Sequence, residues 1–402
     1  VPGVFDTKKK MFNKTLLHIV VFSAAFCVNA DVNPIDINGF FDSSHHWYDV
    51  SEKTNIVNPA PHQARYNPMQ VKQIADNILL YQRDNGGWPK NYDMCAILTE
   101  SQKALVIQAK SFKHTTFDNR TTFSQIKYLA QAYESLKDER YKDAALRGID
   151  FTLAAQYANG GWPQFYPLEN NYSRHITFND GTMIGIMNML KEILDNKSYY
   201  SFVDTARREK IKIAFDKGIE CILKCQIKED GKLYAWCQQH DEVTFEPAKA
   251  RAYELPSISN DESAEITLFL MSLDNPSKEI IDAVESSAKW FEESRIYGIR
   301  VEEIESTEVK FESRTSKTKK DRVVVKDANA PAIWARFYQL KTHKPFFSNR
   351  NSEILETMAE VDRERRIGYS WYTYAPQKVL NKLPQWQKKL ENKKDEHPYQ
   401  NF

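Results

Sequence analysis

The chain has 402 residues, with 55 Lys or Arg against 54 Asp or Glu, for a formal net charge of +1. This balance gives no global pull toward nucleic acid, while leaving room for a local cationic groove and a polyanionic substrate. Aromatic residues make up 12% of the chain, which suits a large core and also faces that stack on sugar rings.

Met11 opens a stretch that reads as a secretory signal. Lys14 supplies the positive start, Leu16 to Phe26 the apolar run, and Val28-Asn29-Ala30 the small-residue cleavage site. The run is too short to cross a bilayer comfortably, and no later segment reads as transmembrane. Ala24-Ala25-Phe26 before Cys27 is a poor lipobox. Residues 1–30 are therefore expected to be leader and signal peptide. Residues 31–402 are expected to be one domain of an exported protein, periplasmic or secreted, acting as a monomer.

Helix-compatible apolar spacing and good helix formers predict helices over Val71–Gln82, Thr121–Leu136, Tyr141–Gln156, Thr182–Leu194, Phe202–Gln226, Glu262–Leu273 and Lys278–Glu293. Two elements recur among them. Gln82-Arg-Asp-Asn-Gly86-Gly87-Trp88-Pro89 returns as Gln156-Tyr-Ala-Asn-Gly160-Gly161-Trp162-Pro163, and loosely from Gln226 to Trp236. The three tryptophans are spaced 74 residues apart. His114-Thr-Thr-Phe-Asp118-Asn119 matches His175-Ile-Thr-Phe-Asn179-Asp180. Each Gly-Gly-Trp-Pro stretch is expected to stop a helix through a left-handed Gly cap and a Pro that cannot continue it. Asp118 and Asp180 fall where an N-cap of the next helix belongs.

The turns near Asp138, Asn196 and Asn275 are short, whereas the connections 84–117, 158–179 and 228–261 are long. Helices alternating in direction then put the long loops at one end, where function usually resides. A repeat of helix pairs with one elaborate face predicts an all-α-dominated α/α toroid, an incomplete α/α barrel with a few short strands in the loops. Val301 to Phe311 and Val323-Val324-Val325 read as strands around a Lys-rich hairpin or loop at 314–322. Cys95, Cys221, Cys225 and Cys237 lack zinc-site spacing and read as free thiols, with one disulfide open in an oxidising compartment.

Each candidate site residue also has an ordinary reading. Asp118 and Asp180 suit capping, worth about 1 kcal/mol each. Arg251 can pair with Glu254, Arg336 can be a salt-bridged residue with a buried stem, and Arg363, Arg365 and Arg366 can be a charged helix end. Together they read differently. Clustered carboxylate and amide oxygens suit a hard cation such as Ca²⁺, though no EF-hand loop is present. Guanidinium forks bind carboxylates, and the aromatics Trp334, Tyr338, Tyr369 and Trp371 lie near them in sequence. That is equipment for an acidic polysaccharide.

Gly-Gly-Trp-Pro-Lys-Asn (86–91), Phe-Asp-Asn-Arg-Thr-Thr (117–122), Gly-Gly-Trp-Pro-Gln-Phe-Tyr-Pro (160–167), His-Ile-Thr-Phe-Asn-Asp-Gly-Thr-Met (175–183), Trp-Cys-Gln-Gln-His-Asp (236–241), Arg-Ala-Tyr-Glu-Leu-Pro-Ser (251–257), Asp-Arg-Val-Val-Val (321–325), Trp-Ala-Arg-Phe-Tyr (334–338) and Arg-Arg-Ile-Gly-Tyr-Ser-Trp-Tyr (365–372) occur in this order. Over about residues 65–375 the chain resembles the pectate lyases of polysaccharide lyase family ten. Ile367 stands where that pattern has Asn, and 303–320 matches no motif. The resemblance implies calcium-dependent β-elimination of α-1,4-linked polygalacturonate, giving 4,5-unsaturated oligogalacturonates. It implies Arg251 as Brønsted base, Asp180 as a calcium ligand and Asp118 as a ligand in the substrate complex. It further implies Asn119, Arg322 and Arg336 as contacts to the uronate chain. An arginine base is unusual, because its pKa normally exceeds about 12.

Three alternatives stay open. An α/α-toroid glycoside hydrolase on an acidic polysaccharide would use two carboxylates such as Asp118 and Asp180. The Gln-x-x-x-Gly-x-Trp pattern also resembles triterpene cyclases, but no aspartate-rich protonating motif accompanies it. A non-catalytic glycan-binding scaffold is the third.

Overall fold

The computed structural model describes residues 33–50 and 55–396, together with Gly3. The secretory signal read at 11–30 lies outside the described residues. The helices are α1 (Phe41–Asp49), α2 (Val71–Tyr81), α3 (Glu100–Gln108), α4 (Phe123–Leu136), α5 (Glu139–Ala154), α6 (Thr182–Leu194), α7 (Thr205–Cys225), α8 (Asn260–Met271), α9 (Lys278–Glu293), α10 (Arg363–Gly368) and α11 (Ala375–Glu396). Side chains at the short-turn end start several of them: Asp138, Asp204 and Ser277 accept N–H bonds as N-caps of α5, α7 and α9.

Amphipathic faces then dictate two layers. α4 packs on α5, α6 on α7 and α8 on α9. α2, α4, α6, α8 and α11 touch in succession as an inner layer, and α5, α7 and α9 follow one another outside. This is the α/α toroid that the repeat predicts. The long connections all lead into the N-termini of inner helices α4, α6 and α8, so they gather at one end.

The tryptophan repeat fastens the layers. Trp88, Trp162 and Trp236 are fully buried, and each indole N–H donates to a carbonyl of the preceding helix: Ile78, Thr152 and Ile222. Gln82, Gln156 and Gln226 each donate twice, once to the loop that follows and once to the next outer helix, at Ala144, Ala214 and Ala283. Gly148 and Gly218 leave room for the first two indoles; an added Cβ would sit 2.9 and 3.2 Å from them.

Two local expectations are corrected. Gly86 and Gly160, both at φ +94°, do not cap helices. α2 already ends at Gln82 in extended backbone, and the glycines lie in the turn beyond it. There a Cβ would strike the carbonyls of Arg147 and Lys217. Asp118 and Asp180 do not cap either. They lie in short 3-10 turns, Asp118–Arg120 and Asn179–Gly181, with left-handed residues at Asn119, Arg120, Thr122, Asp180 and Gly181. α4 and α6 begin after those turns, without a side-chain cap. The carboxylates are thus released from helix duty.

The strands at 301–311 and 323–325 form a single antiparallel ribbon, Ile299–Val309 against Thr318–Lys326, in register from Ile299 with Lys326. Of the Lys-rich segment read as a hairpin or loop over 314–322, residues 318–322 belong to that second strand. Cys95, Cys221, Cys225 and Cys237 are buried free thiols. Among the described residues, no helix is long and apolar enough to cross a membrane.

Candidate active site

Three equivalent backbone hydrogen bonds set the site. The amides of Thr116, Thr177 and Ser259 donate to the carbonyls of Trp88, Trp162 and Trp236 at 3.0, 3.0 and 2.8 Å. The next amides, of Phe117, Phe178 and Asn260, donate to Gln164, Gln238 and Arg336. Each pairing delivers two polar residues to the start of an inner helix: Asp118-Asn119, Asn179-Asp180 and Asp261-Glu262. The third pair was not singled out from the sequence. Ser259-Asn260 replaces the Thr-Phe that flags the other two, and Glu262 reads there as a helix start.

Asp118 and Asp180 come together, as the turns that carry them touch. Burial opposes ionisation of Asp118, but Lys90 at 3.3 Å and Arg251 hold its pKa down to about 2. Asp180 is pushed well above the usual carboxylate range by burial and then by the Asp118 charge. Two like carboxylates therefore share a site that favours one proton or one cation. Oδ1 of Asp118 is buried and has no hydrogen-bond partner, while Asn179 Nδ2 donates to Asp180 Oδ2 at 2.9 Å. A hard cation held by oxygens fits this donor set.

Arg251 faces the pair, with Nη2 3.9 Å from Asp180 Oδ2. Its guanidinium is gripped by fully buried Glu254, with Nη2 to Oε1 at 2.6 Å and Nε to Oε2 at 2.7 Å. Burial works against the charge, yet Glu254, Tyr253 and Asp180 raise the pKa of Arg251 well above its ordinary value. Tyr369 donates to Glu254 Oε1 at 2.9 Å and lies under the guanidinium of Arg336, whose Cζ is 4.6 Å from the ring centre. Arg336 is buried. It pairs with Glu262 and donates to Asn179 Oδ1 at 3.0 Å, while its Nε has no partner.

The structure thus gathers Asp118, Asp180, Arg251 and Arg336 at one place. Arg322 sits on the ribbon and reaches it indirectly, donating to the Tyr369 carbonyl at 3.2 Å. Asn119 is buried behind Asp118 and donates to Asn91 Oδ1 at 2.9 Å. Lys90 and Glu254 complete the set; the pairing of Glu254 with Arg251 was open to the sequence, whereas that of Lys90 with Asp118 is visible only in three dimensions. Arg363, Arg365 and Arg366 hold the surrounding wall, with Arg366 on Asp321 at 2.7 Å and Arg365 Nη1 donating to Tyr253 at 3.1 Å. His175, Asp241 and Glu242 form a separate group whose potential ligand atoms lie within 4.8 Å of one another. There, however, Arg174 and His175 already engage both oxygens of Glu242, at 2.6 and 3.0 Å.

Comparison with known proteins agrees with this fold. The family model described as pectic acid lyase matches residues 82–380. A family 10 polysaccharide lyase from Cellvibrio cellulosa is similar in structure, with TM-score 0.67 and 31% identity over 79% of this chain and 92% of that one. A mutant of a family 10 polysaccharide lyase from Cellvibrio cellulosa, in complex with trigalacturonic acid, gives TM-score 0.65 and 31% identity over 78% and 91%. No curated protein sequence matches. With the match spanning most of the chain and the toroid shared, the protein belongs to the pectic acid lyase family and is a polysaccharide lyase.

Proposed function

We propose that this chain is an exported, calcium-dependent pectate lyase that cuts de-esterified α-1,4-polygalacturonate by β-elimination. The observation that carries this reading is the Asp118–Asp180 carboxylate pair set against Arg251. The trigalacturonic acid bound by the similar Cellvibrio cellulosa lyase supports the substrate class. Asp118 and Asp180 would hold the calcium, which when bound offsets the charge of the substrate carboxylate.

Arg251, once unprotonated, takes the C5 proton of a uronate. The C5–H electron pair becomes the C4–C5 double bond. The C4–O bond breaks, and the leaving oxygen keeps its electrons and is protonated from solvent. Charge develops on the uronate carboxylate during this step, and cationic donors that are already in place stabilise it. Arg336, held flat by Tyr369, supplies one of them, and Asn119 and Arg322 contact the chain further along. Glu254 fixes the reach of Arg251 but also keeps its proton on, so turnover requires alkaline conditions. Signal cleavage leaves a mature, monomeric enzyme starting near Asp31, which N-terminal sequencing of the exported protein checks.

The deciding experiment is incubation with polygalacturonate, with and without a chelator, followed by absorbance of the unsaturated product. Chelator-sensitive appearance of that product supports the reading. Saturated reducing ends produced at acidic pH instead point to carboxylate-based hydrolysis.

A further inference from the structure

The two turns that carry Asp118 and Asp180 differ at one matching position. Asp118-Asn119-Arg120-Thr121 aligns with Asn179-Asp180-Gly181-Thr182, and the third residue of each is left-handed: Arg120 at φ +60° and Gly181 at φ +68°. Glycine adopts that conformation freely, whereas arginine is strained there because its Cβ crowds the backbone. Such strain persists only where the surroundings hold the residue in place.

Arg120 lies between two carboxylates from separate helices. Its Nε is 3.6 Å from Asp42 Oδ2 of α1, and its Nη2 is 3.8 Å from Glu265 Oε1 of α8. Glu265 also lies against the second turn: a Cβ added at Gly181 would sit 3.7 Å from its Oε2. Arg120, Gly181 and Glu265 line one cavity with Phe123, Ile184 and Leu268. One carboxylate thereby meets both turns, pairing with the first and packing on the second. Asp42 adds a fixed point from outside the family match, which begins at residue 82. The chain entering α1 is pressed onto α4, since a Cβ at Gly39 would lie 2.8 Å from Ser124 Oγ. These ion pairs are half-exposed, so each alone contributes little to stability. Their effect lies in position. Two carboxylates that share one cation need a fixed separation, and neither inner helix that follows them has a side-chain cap to steady its start.

We propose that Arg120 is a positioning residue: braced between Asp42 and Glu265, it sets the turn of Asp118 against the turn of Asp180 and so raises calcium affinity in the substrate complex. The proposal rests on the calcium reading. Charge and position predict opposite signs for it. Arg120 is a cation near the carboxylate pair, so by charge alone its removal strengthens calcium binding. Loss of the brace weakens it.

The test uses Arg120→Asn, Glu265→Gln and the double variant, all on an Arg251→Ala parent so that bound trigalacturonate is not cut. Asn accepts the left-handed conformation without the full freedom of glycine. Calcium is titrated by calorimetry with trigalacturonate present at pH 9, above the Glu265 carboxyl, which burial lifts to about 7. Amide hydrogen exchange over residues 118–122 is followed alongside. All three variants should bind calcium about 5-fold more weakly than the parent, with unchanged melting temperatures and faster exchange at Thr121. The double variant should be no worse than either single one, because each breaks the same brace. Tighter binding by Arg120→Asn, or a double variant that returns to the parent affinity, leaves charge as the whole effect and overturns the proposal. Unchanged affinity in both single variants does so too. If neither wild type nor parent binds calcium, the calcium reading fails instead. The brace is then judged by exchange alone, and unchanged rates in Arg120→Asn and Glu265→Gln reject it.

Discussion

Two parts of one repeat behave differently here. In the Gly-Gly-Trp-Pro loops the same side chain does the same work: a buried indole donates to the preceding helix, and a glutamine ties the loop to the next outer helix. In the turns ahead of the inner helices, the backbone pairing is equally constant, but the residues delivered change from Asp118-Asn119 to Asn179-Asp180 to Asp261-Glu262. The constant part builds the toroid. The varied part, at one end of it, puts together carboxylates of opposed proton affinity and the arginines they face. Chemistry sits where equivalent positions stop being interchangeable.

The sharpest way to separate the two is to remove Arg251. Arg251→Ala should lower kcat by about 10³-fold or more while leaving substrate affinity largely intact, because proton removal matters only in the transition state. Arg251→Lys should recover little, since an ammonium lacks the two-point contact with Glu254. Turnover and oligogalacturonate binding measured on both variants check this. A still-active Arg251→Ala would end the proposed mechanism. Trp162→Ala should do the reverse. Removing a fully buried indole should cost about 3–5 kcal/mol of stability, visible in thermal or denaturant unfolding, with activity per folded molecule kept.

Asp180→Ala should lose about 10²-fold in activity, and its calcium response with it, at an unchanged melting temperature. Asp118→Ala should show its calcium defect mainly with substrate present. Both follow from the corrected backbone: neither carboxylate caps a helix, so neither removal should unfold one. If both variants melt early and added calcium changes nothing, the carboxylates are structural.

The pH profile sharpens the same point. The pKa of Asp180 is raised, so acid protonates it first and removes a charge that the proposed calcium site needs. The pKa of Arg251 is raised too, so its basic form appears only as pH climbs. Both signs predict activity rising toward alkaline pH. More calcium should move the acid limb to lower pH, because metal and proton compete for Asp180. A profile that does not respond to calcium would detach the carboxylate pair from the metal.

How much of this was legible differs along the chain. Apart from α11, the inner and outer helices announced themselves through apolar spacing, and the repeat gave their pairing. α3 did not, because its Leu105 and Ile107 are exposed and no stripe forms; the Thr99–Gln102 capping box starts it instead. α11 carries Pro384 inside it, which reads as a break. In the site, Asp118 and Asp180 were visible as a recurring motif, but the left-handed turns that free them from capping were not. The grip of Glu254 on Arg251 was legible as a short-range pair. The Glu262–Arg336 pair was not, because its partners are far apart in sequence and meet only when the third turn packs against the Trp334–Tyr338 segment.

The smallest expected effect tests the constant part most finely. Gln156 Nε2 donates to the carbonyls of Gly160 and Ala214 at 3.0 and 2.8 Å, across the gap between the loop and α7. Gln156→Ala strands the Gly160 carbonyl, while the Ala214 carbonyl keeps its bond within α7, and an acceptor left without its partner costs about 1–3 kcal/mol. Glu at the same position keeps the shape but offers acceptors to acceptors, so Gln156→Glu should destabilise at least as much as Ala at neutral pH and less in acid, where a protonated carboxyl can donate once. Nothing in this contact faces Asp180 or Arg251. Denaturant unfolding at two pH values, with kcat/KM alongside, should therefore show a stability loss that narrows in acid for Glu only, with kcat/KM unmoved in both. A fall in kcat/KM without a stability loss would mean that the glutamine repeat also positions the site, and the division between the two parts of the repeat would fail there.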